Sequence, residues 1–242
     1  MQMTVEILYE KAYLYGDEFN AEYLRRCLPD AEFICTDLQD KPYFADNTPD
    51  IIYMGATTER NQLRIIDALM PYKDRLAQLI EDGVHILFTG NSVDILGEYI
   101  HVFEVDNKTE NTYKALGLFP CHVDLVMNKR FFCSILGNGC GSDIIGFKTQ
   151  FGHTYDLPEE YGFITVERGT GICPGAKLEG IHKNNLYATY IIGPLLVMNP
   201  KFTRFFLESA GANVQSPYED VALKAYEIRL AEFKDPKRTG IG

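Results

Sequence analysis

The position best suited to nucleophilic chemistry in this 242-residue chain carries no side chain. Val84 to Thr89 reads as a buried strand, Gly90-Asn91 as a sharp turn, and Ser92 to Tyr99 as the opening of a helix. A strand, a strained turn and a helix in that order expose one side chain over the end of a sheet, the layout that holds a serine or cysteine nucleophile. Gly90 stands at the apex, and glycine has nothing to expose. Ser92, two residues on, points away from the apex, and its expected role is to cap the helix near Asp94. A serine hydrolase built on Ser92 would need a histidine partner, and the sequence assigns none.

The remaining candidates favour structural roles. Cys27, Cys35, Cys121, Cys133, Cys140 and Cys173 fall at irregular spacings without a C-x-x-C pair, so neither a zinc site nor a disulfide framework is expected. Cys121 and His122 are adjacent, and neighbours on a strand point to opposite faces. Gly137 to Asp143 is glycine-dense, as a phosphate cradle would be, but it lacks the P-loop spacing and reads as a tight β-connection. Gly169 to Gly175 reads the same way. His85 is expected as a packed core residue, whereas His153 and His182 are placed in loops.

These groups must be positioned by alternating elements. Strands are expected at Thr4–Tyr9, Ala31–Cys35, Asp50–Met54 and Val84–Thr89, with a helix from Phe19 to Cys27. Leu63, Ile66, Leu69, Met70, Leu76, Leu79 and Ile80 follow helical spacing, with a break at Pro71. This is the βαβ pattern of a parallel sheet, whose ligands sit beyond the carboxyl ends of the strands, where Gly55 and Gly90 lie. Beyond about residue 105 shorter β-rich pieces follow, at 131–136, 144–147, 162–166 and 186–192, expected to extend the sheet and add an antiparallel layer. Ser216-Pro217-Tyr218-Glu219 has a capping-box pattern, so a helix over about 217–233 is expected to lie across the core, with a frayed tail from Asp235.

Length and a hydrophobic fraction of 46% suit one α/β domain spanning 1–242. A net charge of -11 argues against nucleic acid or an anionic membrane as partner. Without a run of 18 apolar residues or an export-type leader, a cytoplasmic protein with no membrane span is expected.

Taken in order, several segments resemble the CobB/CobQ-like glutamine amidotransferases, and within them the glutaminase subunits of lipid II isoglutaminyl synthases. They are Tyr15-Gly16-Asp17 with Asn20, Asp50 to Gly55 with Glu59-Arg60-Asn61-Gln62, and Ile95-Leu96-Gly97. Leu136-Gly137-Asn138, Gly146-Phe147, Gly152-His153-Thr154, Leu178-Glu179-Gly180 and Ala188 to Pro200 complete the series. The resemblance runs from about Val5 to Gly211. It implies a flavodoxin-like, three-layer class I amidotransferase fold, with a mostly parallel central sheet and added antiparallel strands.

The resemblance also locates the losses. Relatives read C-G-G-Y-Q-L-L-G at the elbow, where the cysteine attacks the glutamine amide to form a thioester and release ammonia; the matching run here begins at Gly90. Their G-T-Y-L-H-G-P histidine, which deprotonates the thiol, matches Ile192. The arginine that holds substrate matches Ser134. In the nearest relatives the acid orienting the histidine comes from the partner ligase. Removing one member of such a unit costs on the order of 10⁴-fold in rate, and here both nucleophile and base are gone. The expectation is therefore a cofactor-free, metal-free pseudo-enzyme, acting as a binding or regulatory subunit of a Mur-ligase-like partner or as a homo-oligomer. Gly55, Asn91, Ser92, Ser134, His153 and Glu179 are its candidate pocket residues. The alternatives are an enzyme with a rebuilt site, using Asn91, Asp94, Glu179 and His153, or an active glutaminase working through Cys133, Cys140 or Cys173.

Overall fold

The computed structural model describes residues 2–106 and 110–237. The first part of the chain alternates strand and helix: β1 (Thr4–Leu8), α1 (Glu18–Cys27), β2 (Glu32–Thr36), β3 (Ile51–Met54), α2 (Glu59–Leu69), α3 (Lys73–Glu81) and β4 (His85–Thr89). The bounds of α2 and α3 have identifiable causes. The Thr58 side chain accepts the Asn61 N–H at the start of α2, and Ile65, Ile66 and Leu69 form its buried stripe. Pro71, which cannot donate to the helical ladder, sits in a 3₁₀ turn over Met70–Tyr72 that separates α2 from α3. Gly83, at φ +78°, lets the chain reverse into β4.

A β-rich half follows: β5 (Tyr99–Phe103), β6 (Glu110–Lys114), β7 (His122–Val126), β8 (Phe131–Gly139), β9 (Ser142–Gln150), β10 (Gly152–Tyr155), β11 (Gly162–Arg168), β12 (Leu178–Lys183), β13 (Leu186–Thr189) and β14 (Ile191–Ile192). Helices α4 (Leu195–Met198), α5 (Pro200–Ser209) and α6 (Glu219–Lys234) end the described chain. Strands β2-β1-β3-β4-β13 run parallel in that order, which is the flavodoxin-like arrangement. From β13 the sheet continues antiparallel through β12, β11, β8 and β9 to β14. Only Tyr190 separates β13 on β12 from β14 on β9, so these antiparallel strands close into a ring. A separate four-stranded sheet, β10-β7-β5-β6, packs its Ile100, Val123 and Leu125 face into the same buried apolar cluster.

The glycine-dense segment forms the β8–β9 turn. Cys140 and Gly141 both have positive φ, 51° and 73°, the two-residue turn that matches strand twist. His85 is buried, with Nε2 3.0 Å from Ser209 Oγ and its ring edge-on to Phe206.

Several expectations change. Ser92 to Tyr99 does not open an α-helix: a 3₁₀ segment runs from Gly90 to Leu96, and Tyr99 begins β5. The Ile95 and Leu96 carbonyls accept N–H groups from Leu116, Leu118 and Phe119, so this backbone bonds across the loop rather than along a helix. His153 and His182 lie on β10 and β12, not in loops. The capping box before α6 does not form, because Tyr218 occupies the cap in the left-handed region with no side-chain bond, while Glu219 pairs with Arg204. Nor does α6 cover the main core. Its Tyr226 and Phe233 bury against Leu136 and Ile145 in a small cluster on the outer face of the ring. Of the tail expected to fray, residues 238–242 lie outside the described residues. No described helix is long and apolar enough to cross a membrane.

Candidate functional site

The elbow is present in backbone and closed in space. Gly90 sits at φ +63°, and a Cβ built there would lie 2.4 Å from Ala56 Cβ and 3.0 Å from Ile192 Cγ2. Parallel pairing of β3 with β4 brings Ala56 alongside, and the bend at Tyr190 returns β14 to the apex. Positions 90 and 192, distant in sequence, are therefore in contact. Ala56 and Ile192 are 1% and 5% exposed, which leaves the apex sealed by two aliphatic side chains.

Two backbone donors beside the apex are already used. An acyl-transfer site needs free N–H groups aimed at the developing oxyanion. Here Ala56 N–H donates to Asp17 Oδ2 (2.6 Å) and Thr57 N–H donates to Asn91 Oδ1 (2.9 Å). Asn91 Nδ2 returns a bond to Thr57 O (2.9 Å), so this side chain clamps the loop after β3 to the elbow. Gly55 permits the close approach of that loop, because a Cβ there would meet Asp17 Cβ at 2.8 Å.

Two enclosed carboxyl groups flank the elbow. Asp17 also accepts from Thr89 Oγ1 (2.7 Å), Asn20 Nδ2 (3.1 Å) and Gly193 N–H (3.3 Å), tying the loops after β1, β3 and β14 to the end of β4. Burial pushes this carboxyl up to about 6, against the hydrogen bonds that pull it down. Asp94 accepts from Gln62 Nε2 (2.7 Å) and from the Tyr190 hydroxyl, and burial pushes it up to about 7. Gln62 Nε2 also reaches Asn91 O (2.6 Å), which joins Asp94 to the clamp. Asp17 was legible as an acid directly after the first strand, in the Tyr15-Gly16-Asp17 segment, but nothing in its spacing marks it as buried. Ala56 gave no signal, since its effect depends on the neighbour across the sheet.

The other candidate residues divide. Ser92 does not cap a helix; its hydroxyl donates to Thr89 O (2.7 Å). Ser134, Phe147 and Ile192 align in one cross-strand row of β8, β9 and β14, so Ser134 shares a face with Ile192 and Phe147 stands between them. Glu179 is enclosed inside the strand ring, where Oε2 accepts from Lys148 Nζ (2.7 Å) and Oε1 from Thr189 Oγ1 (3.0 Å) and Tyr190 N–H (2.8 Å). The His153 ring packs edge-on to Phe131, and burial followed by the Lys148 charge lowers its pKa.

Burial raises the thiols of Cys27, Cys121 and Cys140 to about 11 or 12, and those of Cys35 and Cys173 also move upward. Cys133 Sγ is held between Ser134 O (3.0 Å) and Thr170 N–H (3.2 Å).

Comparison with known proteins places this geometry. The CobB/CobQ-like glutamine amidotransferase domain matches residues 7–200. The GatD subunit of a glutamine-hydrolyzing lipid II isoglutaminyl synthase from Staphylococcus aureus is 30% identical over 171 residues, covering 70% of this chain and 67% of that protein. Its counterpart from Streptococcus pneumoniae is 27% identical over 193 residues, covering 78% and 71%. Among solved structures, a glutamine amidotransferase superposes with a TM-score of 0.54 at 15% identity, covering 86% of this chain and 99% of the other. A glutamine amidotransferase from Thermotoga maritima gives 0.51 at 10% identity, covering 96% and 99%. Those two likenesses show a shared fold. With a sheet that begins in flavodoxin order and a domain match over most of its length, the chain belongs to the CobB/CobQ-like glutamine amidotransferase family.

Proposed function

We propose that this chain is a glutamine amidotransferase-like subunit without glutaminase chemistry, which serves as a binding or regulatory partner of a Mur-ligase-like protein in cell-wall peptide amidation. The observation that carries the reading is the contact at the elbow: Gly90 offers no nucleophile, Ile192 offers no base, and Ala56 fills the space a side chain would need. A thioester requires a thiolate, and a thiolate requires a base or a depressed pKa. The setting in cell-wall amidation and the Mur-ligase-like partner draw support from the likeness to the two GatD subunits.

The purified chain is expected to release no ammonia from glutamine above background, alone or with a co-purified ligase. Turnover that disappears on alkylation of a native cysteine would replace this reading with an active glutaminase whose nucleophile lies elsewhere.

A further inference from the structure

β6 is the outer strand of the four-stranded sheet, and one of its edges has no hydrogen-bonded neighbour among the described residues. The pairing with β5 shows which groups face outward. Ala115 N–H bonds Glu98 O, and the register sets Tyr113 against Ile100 and Asn111 against Val102. Antiparallel strands alternate bonded and non-bonded pairs, so Asn111 and Tyr113 turn their backbone groups toward β5, while Glu110, Thr112 and Lys114 turn theirs outward. The side chains of those three residues also share one face.

Exposed edges are commonly blunted by charge. Here the two charges are opposite in sign and symmetric about Thr112, and neither has an ion pair among the described residues. A second copy laid antiparallel with Thr112 facing Thr112 sets Glu110 of each chain against Lys114 of the other. That register satisfies the outward N–H and C=O groups of all three residues, about six hydrogen bonds in total. A slip of two residues loses the facing ion pairs, and a slip of four sets like charges together. The edge is therefore complementary to itself in one register.

We propose that β6 is the site at which two copies of this chain pair, antiparallel about Thr112, joining their four-stranded sheets into one. A stable interface buries roughly 1,200–2,000 Å², and a five-residue strand supplies only part of that. The association is accordingly concentration-dependent. It does not depend on the glutaminase question.

Sedimentation velocity of the full chain over a concentration series tests the proposal. Wild type is expected to shift from monomer to dimer. Glu110→Lys alone and Lys114→Glu alone are each expected to weaken the dimer by about tenfold, because each sets like charges face to face. An equimolar mixture of these two variants is expected to associate like wild type, as is the double reversal, since every facing pair is again opposite in sign. Thr112→Pro, which removes the central donor, should abolish pairing. An unchanged cooperative melt confirms that each variant is folded, and if Thr112→Pro is not, the charge series decides by itself. A wild-type chain that stays monomeric throughout overturns the proposal, and so does a dimer indifferent to both single reversals or one that mixing fails to restore.

Discussion

At Gly90 two independent constraints exclude a side chain. The backbone lies at φ +63°, where an L-residue costs about 1–2 kcal/mol, and a Cβ would stand 2.4 Å from Ala56 Cβ. Overpacking of that kind adds about 1–3 kcal/mol. Gly90→Ala is therefore expected to destabilise the fold by about 2–5 kcal/mol, read as a lower urea midpoint. Adding Ala56→Gly should recover the part due to the contact and leave the backbone part. If the double variant is no more stable than Gly90→Ala, the contact with Ala56 does not govern the apex. Placing a thiol at this elbow thus requires a change at Ala56 as well as at Ile192, because a cysteine at position 90 would meet both neighbours.

Among the elements, the ring formed by β8, β9, β11, β12, β13 and β14 holds the apex closed, and the Lys148–Glu179 pair spans its interior. Both side chains are fully buried. Lys148 Nζ also donates to Gly171 O (2.7 Å), and Glu179 takes up the Tyr190 N–H at the bend that sends Ile192 to Gly90. Removing one partner leaves an uncompensated buried charge, which costs about 3–5 kcal/mol. Lys148→Met is expected to fall in that range by chemical denaturation. The Lys148→Met/Glu179→Gln double variant should recover most of the loss, because an amide oxygen can still accept from Tyr190 without carrying charge. Equal losses in the single and double variants would show that the pair's charges are not what the ring depends on.

Over the whole molecule, enclosed acids set the pH dependence of stability. The unfolded chain titrates its aspartates near 3.9, whereas burial holds Asp17 at about 6 and Asp94 at about 7 in the folded state. Between those values the folded state binds more protons than the unfolded one, so these two groups make stability fall as pH rises from about 4 to 7. Below the unfolded value their effect on the pH dependence vanishes. Asp94→Asn, which cannot ionise, is expected to flatten the urea midpoint against pH over that window, with the largest change nearest neutrality. A variant whose profile parallels wild type would show that Asp94 does not titrate there.

The order of strands and helices in the first ninety or so residues was legible because each element carries its own period and stop signal, from the Ile65, Ile66 and Leu69 stripe to the turns at Pro71 and Gly83. The family was legible from short segments in a fixed order, because such a series needs no geometry to be matched. The four-stranded sheet was not, because β6 and its neighbours are short, half-exposed strands whose partners lie far along the chain. The segment after Gly90 looked helical, yet carbonyls at Ile95 and Leu96 found partners in a distant loop, and tertiary bonding overrode local preference. Ala56 over the apex, Asn91 on the Thr57 backbone and Asp17 bonded to Ala56, Thr89 and Gly193 are relations between residues that sequence spacing does not encode. The sequence alone determined that glycine and isoleucine stand at positions 90 and 192; the packing of the segments after β3 and β4 against β14 decided that Ala56 and Ile192 close on Gly90, because a position without a side chain stays open only if no neighbour can close upon it.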